Sequence, residues 1–209
     1  ALRRHYPDSL DTENHALALL ECVVRAQASL VARWLGVGFV HGVMNTDNTT
    51  ISGETIDFGP CAFLDEYDPK KRFSSIDTGG RYAFANQPRI ALWNVTRLAE
   101  ALLPLFAKEQ PDAAALAETR LDRFVPEFEA AYGAVLRAKL GLDERHGDEH
   151  ADRALANDIL ERLGANEVDH TLFFRALSAS AEGASADAKT AALFANAGAF
   201  YDWAESWRA

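Results

Sequence analysis

The run His41-Gly42-Val43-Met44-Asn45-Thr46-Asp47-Asn48, followed nine residues later by Asp57-Phe58-Gly59, constrains this chain more than any other stretch. Between the two lie β-branched-rich runs, Thr49–Ser52 and Thr55–Phe58, separated by Gly53-Glu54. That pattern signals a two-residue hairpin with glycine at the first position of a type II′ turn. Pairing across the turn sets Ile51 opposite Ile56 and Thr50 opposite Asp57. Strand side chains alternate faces, so Ile51, Ile56 and Phe58 share a core-directed face, and Asn48, Thr50 and Asp57 share the other. Asn48 and Asp57 become diagonal neighbours, roughly 7–8 Å apart at Cα. Two oxygen ligands so placed suit hard Mg²⁺ or Mn²⁺ rather than zinc, with phosphates and water completing the shell. Asp47 points elsewhere and is free to act as a base or to reach the metal through water. Taken singly, each of these residues is an ordinary turn or strand-end residue; their convergence on one hairpin carries the metal reading.

The arrangement resembles the protein-kinase-like fold, in which an Asp-Asn pair, a short hairpin and an Asp-Phe-Gly hold metal and nucleotide phosphates. A kinase catalytic loop carries its catalytic Asp two residues after the His, and that place here is Val43. The octapeptide, Thr55-Ile56-Asp57-Phe58-Gly59-Pro60, Tyr67-Asp68-Pro69, Gly80-Arg81-Tyr82-Ala83-Phe84, Asn86-Gln87-Pro88 and Trp93-Asn94 together resemble the selenoprotein O family. The resemblance extends more weakly to Asp169-His170-Thr171 and Phe173-Phe174-Arg175. Members of that family are pseudokinase-fold enzymes that transfer AMP from ATP to hydroxyl side chains of proteins. They bind ATP in a flipped orientation, so that the α-phosphate is attacked.

The resemblance implies a mainly α fold: a protein-kinase-like C-terminal lobe with a small β-hairpin at the active site and additional C-terminal helices. It implies Asn48 and Asp57 as ligands of the metal and nucleotide and Asp47 as catalytic base. Mg²⁺ or Mn²⁺ is the implied cofactor, ATP the substrate, and proteins bearing Ser, Thr or Tyr hydroxyls the partners. The family's glycine-rich loop, ATP-binding Lys and partner Glu precede the region that this chain resembles, and a redox-active tail follows it. The expectation is therefore a fragment: one domain over 1–209, with an active-site core (1–87) and a helical part (88–209), lacking the N-terminal nucleotide-binding lobe and inactive alone. Two other readings stand beside this one. An orthodox phosphotransferase would use the same metal site, with Asp47 substituting for the Asp missing at position 43. A non-catalytic helical interaction domain would keep the hairpin for stability.

With 209 residues, 48% of them hydrophobic, the chain can bury a sizeable core. A net charge of −10 argues against nucleic acid or anionic membrane as main partner. No apolar stretch is expected to approach the roughly 18–20 residues of a membrane span, and a reducing cytoplasm is the expected compartment. Cys22 and Cys61 read as buried thiols rather than a disulfide or metal pair. His41 reads as a brace beneath the loop. Arg81, Tyr82 and Asn86 are expected to order the segment after Asp-Phe-Gly, with Arg81 alternatively touching phosphate or substrate. His146-Gly147-Asp148-Glu149-His150 matches a zinc-peptidase pattern, but a glycine inside it and the lack of a third ligand argue for coincidence.

Periodicity predicts a helix from the cap candidates Asp11–Asn14 to about residue 35, stopped by Gly36. Others are predicted over 88–106 with Pro88 in the first turn, over 112–140 with a bend near Pro126, and over 149–164, 168–180 and 185–207.

Overall fold

A computed structural model describes residues 1–142 and 148–209. After α1 (Leu2–His5), the chain enters α2 (His15–Gly36), whose start is set by Asn14. The Asn14 Oδ1 accepts hydrogen bonds from the backbone N–H groups of Ala16 and Leu17, at 3.1 and 3.0 Å, which satisfies two of the donors that a helix N-terminus leaves unpaired. Leu17, Leu20, Val24, Ala28 and Val31, at helical spacing, lie on the buried face of this helix.

Gly36 is indeed its last helical residue, but for a packing reason. A Cβ there would lie 2.3 Å from Val135 Cγ1, so the missing side chain is what lets α2 cross α5 (Phe124–Leu140) closely. By length and composition α2 also matches a membrane span, with a mean hydropathy of 1.3, which corrects the expectation that no stretch comes near one. In this fold half of that apolar window is buried in the core, and its outer side carries Glu21, which pairs with Arg25 and Arg123.

The strands are short. β1 (Phe39–Val40) pairs antiparallel with β2 (Ala62–Phe63), Phe39 opposite Phe63 and Val40 opposite Ala62. Everything between them is one excursion closed at its base by this ladder. The remaining elements are α3 (Gln87–Phe106), α4 (Gln110–Leu121), α6 (Glu149–Ala165), α7 (His170–Ser180), α8 (Asp187–Ala191) and α9 (Ala197–Arg208). The described residues are thus mainly helical, with a two-stranded antiparallel sheet.

Two predicted helices are each interrupted. The stretch 112–140 is not bent at Pro126 but broken before it, at residues 122–123, so Pro126 falls in the first turn of α5. There its missing N–H is costless, whereas in mid-helix it would remove a hydrogen bond. The stretch 185–207 divides into α8 and α9, because Asn196 turns its side chain onto Gly198 N (3.1 Å) and starts a new helix. Gly141 ends α5 at φ +68°, a left-handed stop that glycine accepts without strain.

Two clusters form the interior. One joins α2, α3, α4 and the start of α5 around Leu20, Val31, Val95 and Phe124, and takes in Phe39 from β1 and Met44 from the excursion. The other joins the end of α5 to α6, α7, α8 and α9 around Phe173, Phe200 and Trp203. Each of these three aromatic side chains is at most 1% exposed, and burial of one stabilises by about 1.5–3 kcal/mol. A small third cluster, Leu35, Val40, Leu64 and Phe84, backs the β1–β2 ladder.

Of the zinc-peptidase-like run, His146 and Gly147 lie outside the described residues. Asp148 caps α6 by accepting from His150 N at 2.9 Å.

Candidate active site

The excursion from His41 to Cys61 is held chiefly through its main chain. Gln87, fully buried at the first turn of α3, accepts from His41 N and donates to Phe39 O, both at 2.9 Å. Asn94, two turns on, donates to Met44 O (3.1 Å) and to Thr49 Oγ1 (2.8 Å). From α2, Gln27 donates to Thr50 O at 2.7 Å and Trp34 to Thr55 Oγ1 at 2.9 Å. The Tyr6 hydroxyl reaches Ile51 O. A loop with this many satisfied backbone groups has one path, because each buried carbonyl or N–H would otherwise be left without a partner.

His41 is the brace that its position suggested. It is 1% exposed; its Nε2 donates to Ile56 O at 2.8 Å, and its Nδ1 faces Val43 N at 3.4 Å. One ring thus ties the start of the loop to the residue immediately before Asp57. That contact uses both ring nitrogens and makes His41 a positioning residue.

The hairpin differs from its expected form. Thr49 bridges Thr55, where the pattern set Thr50 against Asp57. The turn is therefore a five-residue loop instead of two residues. Its reason is local chemistry: Thr50 Oγ1 donates to Glu54 O (2.7 Å) and accepts from Glu54 N (3.0 Å), replacing the ladder bonds of a tight hairpin. Gly53 sits at φ +72° inside that loop. The shared core face is corrected with it. Ile51 packs on the first core cluster, while Ile56 and Phe58 are 38% and 62% exposed; Phe58 touches Phe39 edge-on at 6.5 Å between ring centres.

The three predicted site residues emerge at one end of the Thr49–Thr55 bridge. Asp47 and Asn48 occupy the 3₁₀ turn Thr46–Asn48 just before it, and Asp57 comes two residues after Thr55. Asp47 is exposed, and its carboxylate has no partner among the described residues. Asn48 is half-buried and donates its Nδ2 to Val43 O at 3.1 Å, which leaves Oδ1 as the atom to meet a ligand. Asp57 is exposed and adopts φ +57°, a left-handed conformation unusual for a residue with a Cβ. Its Oδ1 lies 3.3 Å from where a Cβ on Gly59 would stand, so the glycine of Asp-Phe-Gly leaves that carboxylate room.

Among the described residues no three His, Cys, Asp or Glu side chains converge on a metal-sized site. What the site offers is two exposed carboxylates, of Asp47 and Asp57, and the amide oxygen of Asn48. Hard cations accept such oxygens, and Mg²⁺ in particular keeps several waters and substrate phosphates in its shell rather than a protein cage.

The segment after β2 is tied to this turn. Asp77, 7% exposed, accepts from Arg81 N and Tyr82 N at 2.8 and 2.9 Å. Asn86 donates to Gly80 O at 2.8 Å, and the Tyr82 hydroxyl donates to Asn45 Oδ1 at 2.6 Å. Tyr82 and Asn86 thus order the segment as expected, whereas the Arg81 guanidinium stacks over Trp93 at 4.7 Å. Gln27, Gln87 and Asn94 were not singled out individually as supports. The signal available was an amide side chain at an otherwise apolar, helix-facing position, which becomes meaningful once a loop with unpaired main chain is placed against it.

This is a loop-and-turn site carried by a helical body. The family model described as "Protein adenylyltransferase SelO" matches residues 1–209. The chain is 55% identical over 214 residues to "Protein nucleotidyltransferase YdiU" of Methylorubrum populi, covering 100% of this chain and 42% of that protein. It is 56% identical over 208 residues to the protein of that name from Bradyrhizobium diazoefficiens, covering 99% and 41%. With that of Rhodopseudomonas palustris (strain CGA009) it shares 51% identity over 209 residues, covering 100% and 42%. The chain belongs to the SelO protein adenylyltransferase family, and it spans about two fifths of the length of these relatives.

Proposed function

We propose that the protein to which this chain belongs transfers AMP from ATP to Ser, Thr or Tyr hydroxyls of other proteins. On this reading the described fold is a protein-kinase-like C-terminal lobe. The observation that carries it is the turn itself: Asp47, Asn48 and Asp57 leave one end of the Thr49–Thr55 bridge, on a main chain fixed by His41, Gln87 and Asn94.

In this reading Asn48 Oδ1 and the Asp57 carboxylate hold Mg²⁺ or Mn²⁺, which supplies neutralisation of the triphosphate's charge. Asp47, exposed and without a partner, accepts the proton of the acceptor hydroxyl. The hydroxyl oxygen bonds to the α-phosphorus and pyrophosphate leaves. The protein's part is positioning and electrostatics. His41 sets the carbonyl of Ile56, and hence the approach to Asp57; Gln87 and Asn94 set the path that presents Asp47.

The test uses full-length protein with Mg²⁺ or Mn²⁺ and ATP labelled at the α- or the γ-phosphate. Label transferred from α and not γ is the expected result. Transfer from γ alone would make it a phosphotransferase despite Val43; transfer from neither would leave an interaction domain. Asp57→Ala is expected to lose nucleotide–metal binding and turnover together. Asp47→Asn keeps shape and removes basicity, so turnover should fall by about 10²–10⁴-fold with nucleotide binding kept. An Asp47→Asn protein of undiminished turnover would refute the base assignment.

A further inference from the structure

Beside the catalytic turn the structure gathers arginines around one exposed indole. Trp93 on α3 is 40% exposed. The Arg81 guanidinium stacks over it at 4.7 Å and that of Arg97 at 5.1 Å. Arg89, exposed, precedes Trp93 by one helical turn on the same face. Arg72, also exposed, approaches Gly80, its Nη1 lying 3.8 Å from where a Cβ on that glycine would stand.

Among the described residues, two carboxylates bond to members of this cluster. Glu100 pairs with Arg97 at 2.7 Å. Asp77 is turned inward onto the backbone N–H groups of Arg81 and Tyr82. Among the described residues Arg72, Arg81 and Arg89 have no carboxylate within 4.0 Å. On a chain of net charge −10, such a cluster is a local reversal of sign. It is also continuous with the catalytic turn. Arg81 lies 5.7 Å from the Tyr82 ring, and the Tyr82 hydroxyl bonds Asn45, two residues from Asp47. Arg97 further lines a cleft of about 340 Å³ whose walls include Thr46, Thr49 and Asn94.

The geometry points to a docking surface for an acidic segment of the protein substrate, centred on Arg81 and Trp93 and flanking the acceptor hydroxyl; this rests on the adenylyltransferase reading. Contact with the indole face restrains the Arg81 guanidinium, whose N–H fork has no carboxylate partner among the described residues. That fork matches a carboxylate, and a guanidinium fixed by stacking loses less freedom on binding one. A substrate whose Glu or Asp residues sit beside the modified residue would be drawn to this face and aligned over Asp47. Such contacts act mainly on encounter and selectivity and weaken with salt.

The experiment uses full-length protein and three fluorescein-labelled peptides alike except that a Tyr is flanked by Glu, Gln or Lys, read by anisotropy without ATP. The Glu peptide should bind about tenfold more tightly than the Gln peptide, and less so as salt is raised. Arg81→Glu should remove that preference and improve binding of the Lys peptide, which also shows that the variant is folded. Equal affinity for Glu and Gln peptides would overturn the proposal. So would an Arg81→Glu protein that keeps the preference, or one whose loss lies in ATP affinity, assigning the arginines to the nucleotide. Because binding is read without turnover, the two readings fail separately. Arg81-dependent binding with no transfer of α-label sinks the activity alone. Transfer of α-label with equal kcat/KM for Glu and Gln peptides sinks the docking surface alone.

Discussion

His170 should make the fold acid-sensitive over a definable window. It opens α7 and is 3% exposed. The imidazole stacks on Tyr67 (6.1 Å between ring centres) and meets Phe174 edge-on at 5.1 Å, while Gly38 leaves it room beneath β1. The groups that bear on its charge are Lys139 on α5 and its neighbour Asp169. Burial, and then the Lys139 cation, lower its pKa from 6.5 to about 4, against the opposing pull of Asp169. The native imidazole therefore stays neutral while the unfolded one takes up a proton near pH 6.5. Stability is complete above that value, is lost as pH falls from 6.5 to about 4, and is not regained below. From 6.5 to about 4, at about 1.36 kcal/mol per pH unit, the loss approaches about 3 kcal/mol, with about 2 kcal/mol of it between pH 7 and pH 5. Urea unfolding of the native chain and of His170→Gln at both pH values isolates this contribution from the carboxylates, which titrate in both proteins. The native chain should lose about 2 kcal/mol more than the variant over that interval. NMR of the ring nitrogens should show His170 predominantly neutral at pH 5. A ring that titrates near 6.5, or an identical acid response in the two proteins, would refute the reasoning.

The loop supports and the α2–α5 crossing should respond to substitution as well. Gln87→Ala strands His41 N and Phe39 O, two buried backbone groups, and should cost about 2–6 kcal/mol in chemical denaturation at about 1–3 kcal/mol each; a loss under 1 kcal/mol would show the loop to be held elsewhere. Gly36→Ala places a methyl 2.3 Å from Val135 Cγ1. A β-branched side chain on a helix has little freedom to turn away, so overpacking of about 1–3 kcal/mol should outweigh any gain in helix propensity. Adding Val135→Ala should recover part of that loss in a double-mutant cycle; a Gly36→Ala protein more stable than the native chain would contradict the close crossing.

The helical body was largely legible because its signals are local. The Asn14 cap, the α2 stripe, Pro88 in the first turn of α3 and Gly141 after α5 each depend on residues within a turn or two of one another. The errors fell where a side chain answers to something local periodicity does not weigh. Thr50 hydrogen-bonds Glu54 and opens the hairpin; Asn196 caps where an alanine-rich run looked continuous; Pro126 takes a first-turn place only because the chain breaks ahead of it. At the candidate site, the proposed residues stood out by type and spacing, since Asp47, Asn48 and Asp57 lie within eleven residues. Their supports did not, because Gln27, Gln87 and Asn94 act across 23, 46 and 50 residues of chain.

Those amide supports have a consequence for how such a loop can change. Gln87 and Gln27 grip peptide groups, and Asn94 grips one peptide group and one threonine hydroxyl. The course of the loop is thus written mostly in atoms that every amino acid shares. Asp47, exposed and with no partner among the described residues, can be exchanged with little penalty to the scaffold, unlike buried Met44 or the hydrogen-bonded Asn45 and Asn48. A mould of this kind keeps its form while the side chain displayed at position 47 is replaced.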